Sequence, residues 1–172
     1  MFSNGEFVVY GSGEICRIEE VVERCFDGVH RNNYYKIVPE EYRNSAYYVP
    51  VESAEKEIRR ILTKEEVYEI IDSIPQAESV WYSDRNERKS YFESVLRSDD
   101  FTRLVGMIKA IYEERQKRSD DGRKLIAADE RAFFAAEHIF HSEIAFVLGI
   151  PESEAGNYIR ERIEKKQPKG CL

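Results

Sequence analysis

Few residues in this chain are spaced to do chemistry, and each of them has a competing structural role. His138 and His141 lie three apart with Glu137 and Glu143 beside them, a spacing that on a helix puts two imidazoles near one face and could chelate a metal. The His-Glu-x-x-His pattern is absent and no third ligand stands out, so a surface histidine pair without metal is the expectation. Gly11-Ser12-Gly13 is followed by no Gly-Lys-Ser/Thr and lies between apolar runs of strand type, which reads as a turn rather than a phosphate loop. His30 has no nucleophile in its neighbourhood. The carboxylates fall mostly at helix starts or on polar faces, where capping and solvation account for them. No convergent catalytic set emerges, so neither catalytic residues, a cofactor nor a small-molecule substrate are expected, and the chain reads as a non-enzyme.

Trp81, the one tryptophan, stands in the polar run Glu78-Ser79-Val80-Trp81-Tyr82-Ser83-Asp84-Arg85-Asn86-Glu87-Arg88-Lys89. It has two readings. A lone tryptophan is ordinarily a core anchor, while an aromatic beside Arg85, Arg88 and Lys89 is also how a protein wedges into a base step as cations neutralise the flanking phosphates. Periodicity does not separate them.

The net charge of -7 weighs against nucleic acid as a partner, because phosphate contacts need Lys and Arg. The distribution is uneven. Residues 81–124 hold 11 Lys and Arg against 9 Asp and Glu, so the middle is basic relative to its flanks. Cys16, Cys25 and Cys171 form no CxxC pair and are odd in number, which fits reduced thiols rather than a disulfide framework or a zinc knuckle. No run approaches the roughly 18 consecutive apolar residues of a membrane span, and Met1-Phe2-Ser3-Asn4-Gly5 lacks the regions of a signal peptide. A cytoplasmic protein without a membrane partner is expected.

The elements that must position these residues fall into two halves. Up to Val51 the apolar residues run in short strand-like stretches: Phe7-Val8-Val9-Tyr10, Ile15 to Val22, Tyr34 to Val38 and Ala46 to Val51, with a hairpin at Asp27-Gly28. Four or five strands in so few residues predict a small twisted antiparallel barrel. Beyond Val51 the period changes from 2 to 3.6. Thr63-Lys64-Glu65-Glu66 is a capping box opening a helix that Pro75 closes. Helices are predicted from about Asp84 to Arg97, Asp100 to Arg118 and Ala128 to Leu148, the last with Phe133, Phe134, Ala136, Ile139, Phe140 and Ile144 inward, with a charged loop Lys117–Lys124 before it. Gly149 stops that helix and Pro151 can start one more. The fold class is thus α+β, a sheet domain over residues 1–52 followed by an all-α domain over 53–172.

Taken in order, these signals resemble the CarD family of bacterial transcription regulators. Phe2-Ser3-Asn4-Gly5-Glu6-Phe7-Val8-Val9-Tyr10 is similar to the family's opening, and Val49-Pro50-Val51, the Trp81 segment, Leu96-Arg97-Ser98-Asp99-Asp100, Asp129-Glu130 and Glu143-Ile144-Ala145 follow in the family's order. The resemblance implies a Tudor-like or SH3-like N-terminal domain, shared with the transcription-repair coupling factor, that binds the RNA polymerase β subunit. It implies a helical domain at promoter DNA near the −10 element, where the tryptophan wedges at the upstream edge of the bubble and holds the open complex. By the same resemblance Trp81, Arg85, Arg88 and Lys89, then Lys117, Arg118, Arg123 and Lys124, would contact DNA, and Arg24, Tyr47 and Tyr48 would dock on polymerase. A nucleoid location through polymerase would follow. The rival expectation is a protein-protein interaction module with no direct DNA contact.

Overall fold

The computed structural model describes residues 1–26 and 28–166, so Asp27 of the expected hairpin and Cys171 lie outside the described residues. The chain divides into two compact units, Met1–Ile61 and Leu62–Leu172.

The first unit is an antiparallel sheet of β1 (Phe7–Tyr10), β2 (Glu14–Arg24), β3 (Asn32–Pro39), β4 (Tyr47–Pro50) and β5 (Ile58–Arg60), in the order β4-β3-β2-β1-β5. Gly11 (φ 55°) and Gly13 (φ 108°) supply the positive φ that the β1–β2 turn needs, in keeping with the turn reading of Gly11-Ser12-Gly13. Alternation along the strands sends Val8, Cys16, Ile18, Tyr35, Ile37, Val49 and Ile58 into one core, and Ala54 of the 3-10 helix Val51–Lys56 packs against it. The register of β2 shifts between Ile18 and Glu20, a bulge that changes which residues face the core beyond it. The expected barrel is not closed: among the described residues β4 and β5 remain the two edges of an open sheet. The fifth strand lies past Val51, where a helical period was expected. Three residues, two of them arginine, carry no periodic signal, and β5 exists because it pairs with β1 through Val8↔Arg60 and Tyr10↔Ile58.

The second unit holds α1 (Lys64–Ser73), α2 (Arg85–Leu96), α3 (Phe101–Asp120), α4 (Ala127–Leu148) and α5 (Glu152–Lys166). Thr63 and Glu66 make the full capping box on α1, Asp84 caps α2 through the amides of Asn86 and Glu87, and Asp100 caps α3 through Arg103. Gly149 ends α4 in the left-handed conformation. Val67, Ile71, Phe92, Val95, Leu104, Met107, Ile111, Phe133, Ala136, Phe140, Ile144 and Ile159 form one core. Two expectations are corrected. Phe134, placed inward by the apolar stripe, is 59% exposed, because it lies 100° around the helix from Phe133 and outside the buried sector. Helix α3 runs on to Asp120, so Lys117 and Arg118 belong to its last turn, where cations meet the negative end of the helix dipole, and not to a loop. No single helix among the described residues is long and apolar enough to cross a membrane.

Candidate functional site

Trp81 lies in the irregular segment between α1 and α2, and that segment is pinned along its length. The Lys109 ammonium of α3 donates to the carbonyls of Pro75 (3.1 Å) and Ala77 (2.8 Å). The carbonyl of Glu78 comes so close to Gly106 that a Cβ there would sit 2.4 Å from it. Ser79 Oγ donates to Glu113 (2.8 Å), and past the tryptophan Arg88 Nη1 donates to the carbonyls of Tyr82 (2.7 Å) and Ser83 (3.2 Å). Trp81 itself is half-buried against the helical core, with its ring centroid 6.1 Å from that of Phe92. The guanidinium carbon of Arg88 lies 4.5 Å from the indole centroid and that of Arg118 6.0 Å. The indole thus anchors to the core with one part and leaves another open to solvent, with two guanidinium groups at cation-π distance.

The expected phosphate contacts divide on burial. Arg85 and Lys89 are exposed and four apart on α2, so they share a face; Lys89 has one loose exposed partner, Glu93, at 3.8 Å. Lys117, Arg123 and Lys124 are exposed, Arg123 pairing with the equally exposed Asp121. Such pairs contribute about 0–1 kcal/mol and yield readily to a phosphate. Arg118 is half-buried and bonded to Glu114 at 2.7 Å. Arg88 is corrected: it is 5% exposed, its fork is closed on the buried Asp129 by two 3.1 Å bonds, and its Nη1 serves two carbonyls, so its charge is neutralised inside the helical unit and not presented to a phosphate. Hydropathy reading missed Lys109 as an internal anchor and Arg115, which packs 4.2 Å from the Phe133 ring and 5.8 Å from Phe134. The i, i+3 spacing of Arg115 and Arg118 was the available signal.

On the sheet unit, register decides which expected docking residues share a face. Lys36 pairs with Tyr48 and Glu20, Tyr34 with Val22 and Pro50, and Arg24 with Asn32, so Arg24 and Tyr48 lie together on the outer face. The ring of Phe26 packs there on Tyr34 (5.0 Å) and Tyr48 (5.6 Å) and is 62% exposed, an aromatic cluster that strand-period reading missed because Phe26 lies beyond the end of β2. Lys36 bonds Glu19 at 2.7 Å, which holds the Glu19 carboxyl below its usual range and the Lys36 ammonium above its own. Tyr47 is corrected: it points to the core side, half-buried and stacked on Tyr10 at 4.9 Å, with the nearby Glu14 carboxylate pushing its phenol pKa up.

His138 Nδ1 is 2.8 Å from Glu152, and His141 is half-buried, its pKa lowered by that burial. Among the described residues no three His, Cys, Asp or Glu side chains gather as a metal site would require.

The outer face of the sheet thus carries the aromatic cluster of Phe26, Tyr34 and Tyr48 with Arg24 on the same side. Residues 2–62 match the CarD-like/TRCF RID domain family, so the first unit is a CarD-like RNA-polymerase-interacting domain. Its role is therefore tied to transcription through RNA polymerase. No curated protein matches the chain.

Proposed function

We propose that the sheet unit docks on the β subunit of RNA polymerase and that the helical unit stabilises the promoter open complex, Trp81 wedging at the upstream edge of the bubble near the −10 element. The protein works without a covalent step, as a regulator and not an enzyme, and sits on the nucleoid through polymerase. The observation that carries the DNA half is how Trp81 is held: partly exposed, its backbone pinned on both sides, with the exposed cations Arg85 and Lys89 on the helix that follows.

A ligand shifts an equilibrium only by its differential affinity for the two states. A tenfold longer open-complex lifetime needs about 1.4 kcal/mol, and one aromatic contact to a base is worth about 1–3 kcal/mol, so a single indole is sufficient. Docking on polymerase raises the local concentration of the helical unit at the promoter, which accommodates a chain too acidic to hold duplex by itself.

The test is open-complex lifetime with no factor, wild type, Trp81→Ala and Trp81→Phe. Wild type lengthens it, the alanine variant loses most of that gain, and the phenylalanine variant, which keeps much of the packing on Phe92, loses part. No effect of wild type would refute the proposal. The second reading, a polymerase-bound interaction module without DNA contact, is favoured by the packing of Trp81 on Phe92. It requires that Trp81→Phe match wild type in every promoter assay.

A further inference from the structure

We infer that Arg88 and Asp129 act as positioning residues for Trp81, fixing the indole in the pose it presents to DNA; this deepens the reading of Trp81 above. One guanidinium meets the indole, the backbone that follows it and a carboxylate of α4. Its Nε and Nη2 close on the two Asp129 carboxylate oxygens, both at 3.1 Å, which ties α2 to the first turn of α4. Its Nη1 binds the carbonyls of Tyr82 and Ser83, the two residues after the tryptophan. Its face lies 4.5 Å from the indole centroid.

A buried ion pair is weak evidence for stability, since apolar residues of the same volume often serve as well, and its best-attested use is to specify one geometry. Here the planar fork does three tasks that an ammonium cannot do together: two parallel bonds to a carboxylate, a third nitrogen on backbone carbonyls, and a flat face under an aromatic ring. With Lys109 and Gly106 holding the segment before Trp81, Arg88 holds the segment after it. The indole is thereby confined at both ends, and its ordering is complete before DNA arrives, so little entropy remains to be lost on contact.

The test uses Arg88→Lys, Arg88→Met and Asp129→Asn in the full chain, each with and without Trp81→Ala. Because Trp81 is the one tryptophan, acrylamide quenching and fluorescence anisotropy report its confinement without polymerase. All three variants should raise the quenching constant at least twofold while far-ultraviolet circular dichroism keeps its helical signal. In the promoter assay Arg88→Met should lose most of the lifetime gain that Trp81→Ala loses, the double variant should be no worse than Trp81→Ala, and the dependence of log lifetime on log salt should keep its wild-type slope.

Wild-type quenching in Asp129→Asn and Arg88→Lys would overturn the inference, since neither the carboxylate nor the fork would then be needed to confine the indole. A salt slope reduced by about 1 with losses that add to those of Trp81→Ala would overturn it too, making Arg88 a phosphate contact. If wild type fails to lengthen the lifetime, the proposed function falls, while quenching still decides the positioning role.

Discussion

Substituting Gly106 by alanine puts the packing of the Trp81 segment to a test of sign. Glycine inside a helix costs about 0.8–1.0 kcal/mol relative to alanine, so Gly106→Ala in α3 would stabilise the protein if local propensity alone acted. The structure opposes it. The added Cβ would lie 2.4 Å from the Glu78 carbonyl oxygen, and real Cβ atoms essentially never approach within 3.0 Å, so the segment must retreat by about 0.6 Å, the difference of those distances. That retreat strains the bonds of Lys109 to Pro75 and Ala77 and of Ser79 to Glu113. Each is worth about 0.5–1.5 kcal/mol net, and overpacking adds about 1–3 kcal/mol. A net loss of about 1–2 kcal/mol follows, read as a lower denaturation midpoint at unchanged m in urea unfolding monitored by Trp81 fluorescence. Gly156 in α5 is the internal control: a Cβ there meets His141 Cε1 at 3.6 Å, an ordinary contact, so Gly156→Ala should gain about 0.5–1 kcal/mol. If Gly106→Ala proves as stable as wild type or more so, the close approach of the Trp81 segment to α3 is refuted.

The other predictions are independent of that site. Burial, reinforced by Glu14 and Glu40, pushes the Cys16 thiol up to about 12, so alkylation mapped by mass spectrometry at pH 8 should spare Cys16, modify the exposed Cys25, and reach Cys16 only in denaturant. His141 has a lowered pKa, from burial first and from His138, against Glu137 and Glu152. The unfolded chain therefore binds its proton more tightly, so this contribution to stability is full above the ordinary value of 6.5 and is lost as pH falls through the lowered folded value; His141→Gln should flatten that part of the stability-pH curve. Asp72 is held low by the Arg162 guanidinium and by Lys166, so its contribution is full above 3.8 and is lost as pH falls through the lowered folded value, which Asp72→Asn should abolish in the acid limb of the stability-pH curve. On the sheet unit, Tyr48→Ala and Arg24→Ala should change stability by no more than about 0.5 kcal/mol yet weaken polymerase binding measured by interferometry. Tyr47→Ala should do the reverse, lowering the melting temperature seen by circular dichroism, and equal binding losses for all three would contradict the assignment of faces.

What the sequence made legible was whatever neighbouring residues encode. The helices of the second unit stand where capping residues and apolar stripes adjoin: Thr63 with Glu66, Asp84, Asp100 and Gly149 each bound an element that the 3.6 period already outlines. What stayed hidden depends on partners distant in the chain. Tyr47 and Tyr48 are the same residue type on opposite faces, and only the pairing of β4 with β3 says which one meets solvent. Phe133 and Phe134 differ in burial although both are apolar and adjacent, because the edge of a helix's buried sector is set by its neighbours. Arg88 is the sharpest instance. Its charge and its place beside Trp81 marked it for phosphate, yet its partner Asp129 is 41 residues away, and no local pattern distinguishes an arginine that closes on a carboxylate from one that waits for an anion. The family match stops at residue 62, so the helical unit must be argued from its own side chains. Among the basic residues there, Lys109 and Arg88 hold the tryptophan's backbone, whereas Arg85, Lys89, Lys117, Arg123 and Lys124 remain exposed. On the proposed function, that division gives a chain of net charge -7 a way to serve DNA with few cations: Arg88 and the partly buried Lys109 fix the indole, and the exposed cations would need to supply only the phosphate contacts around it.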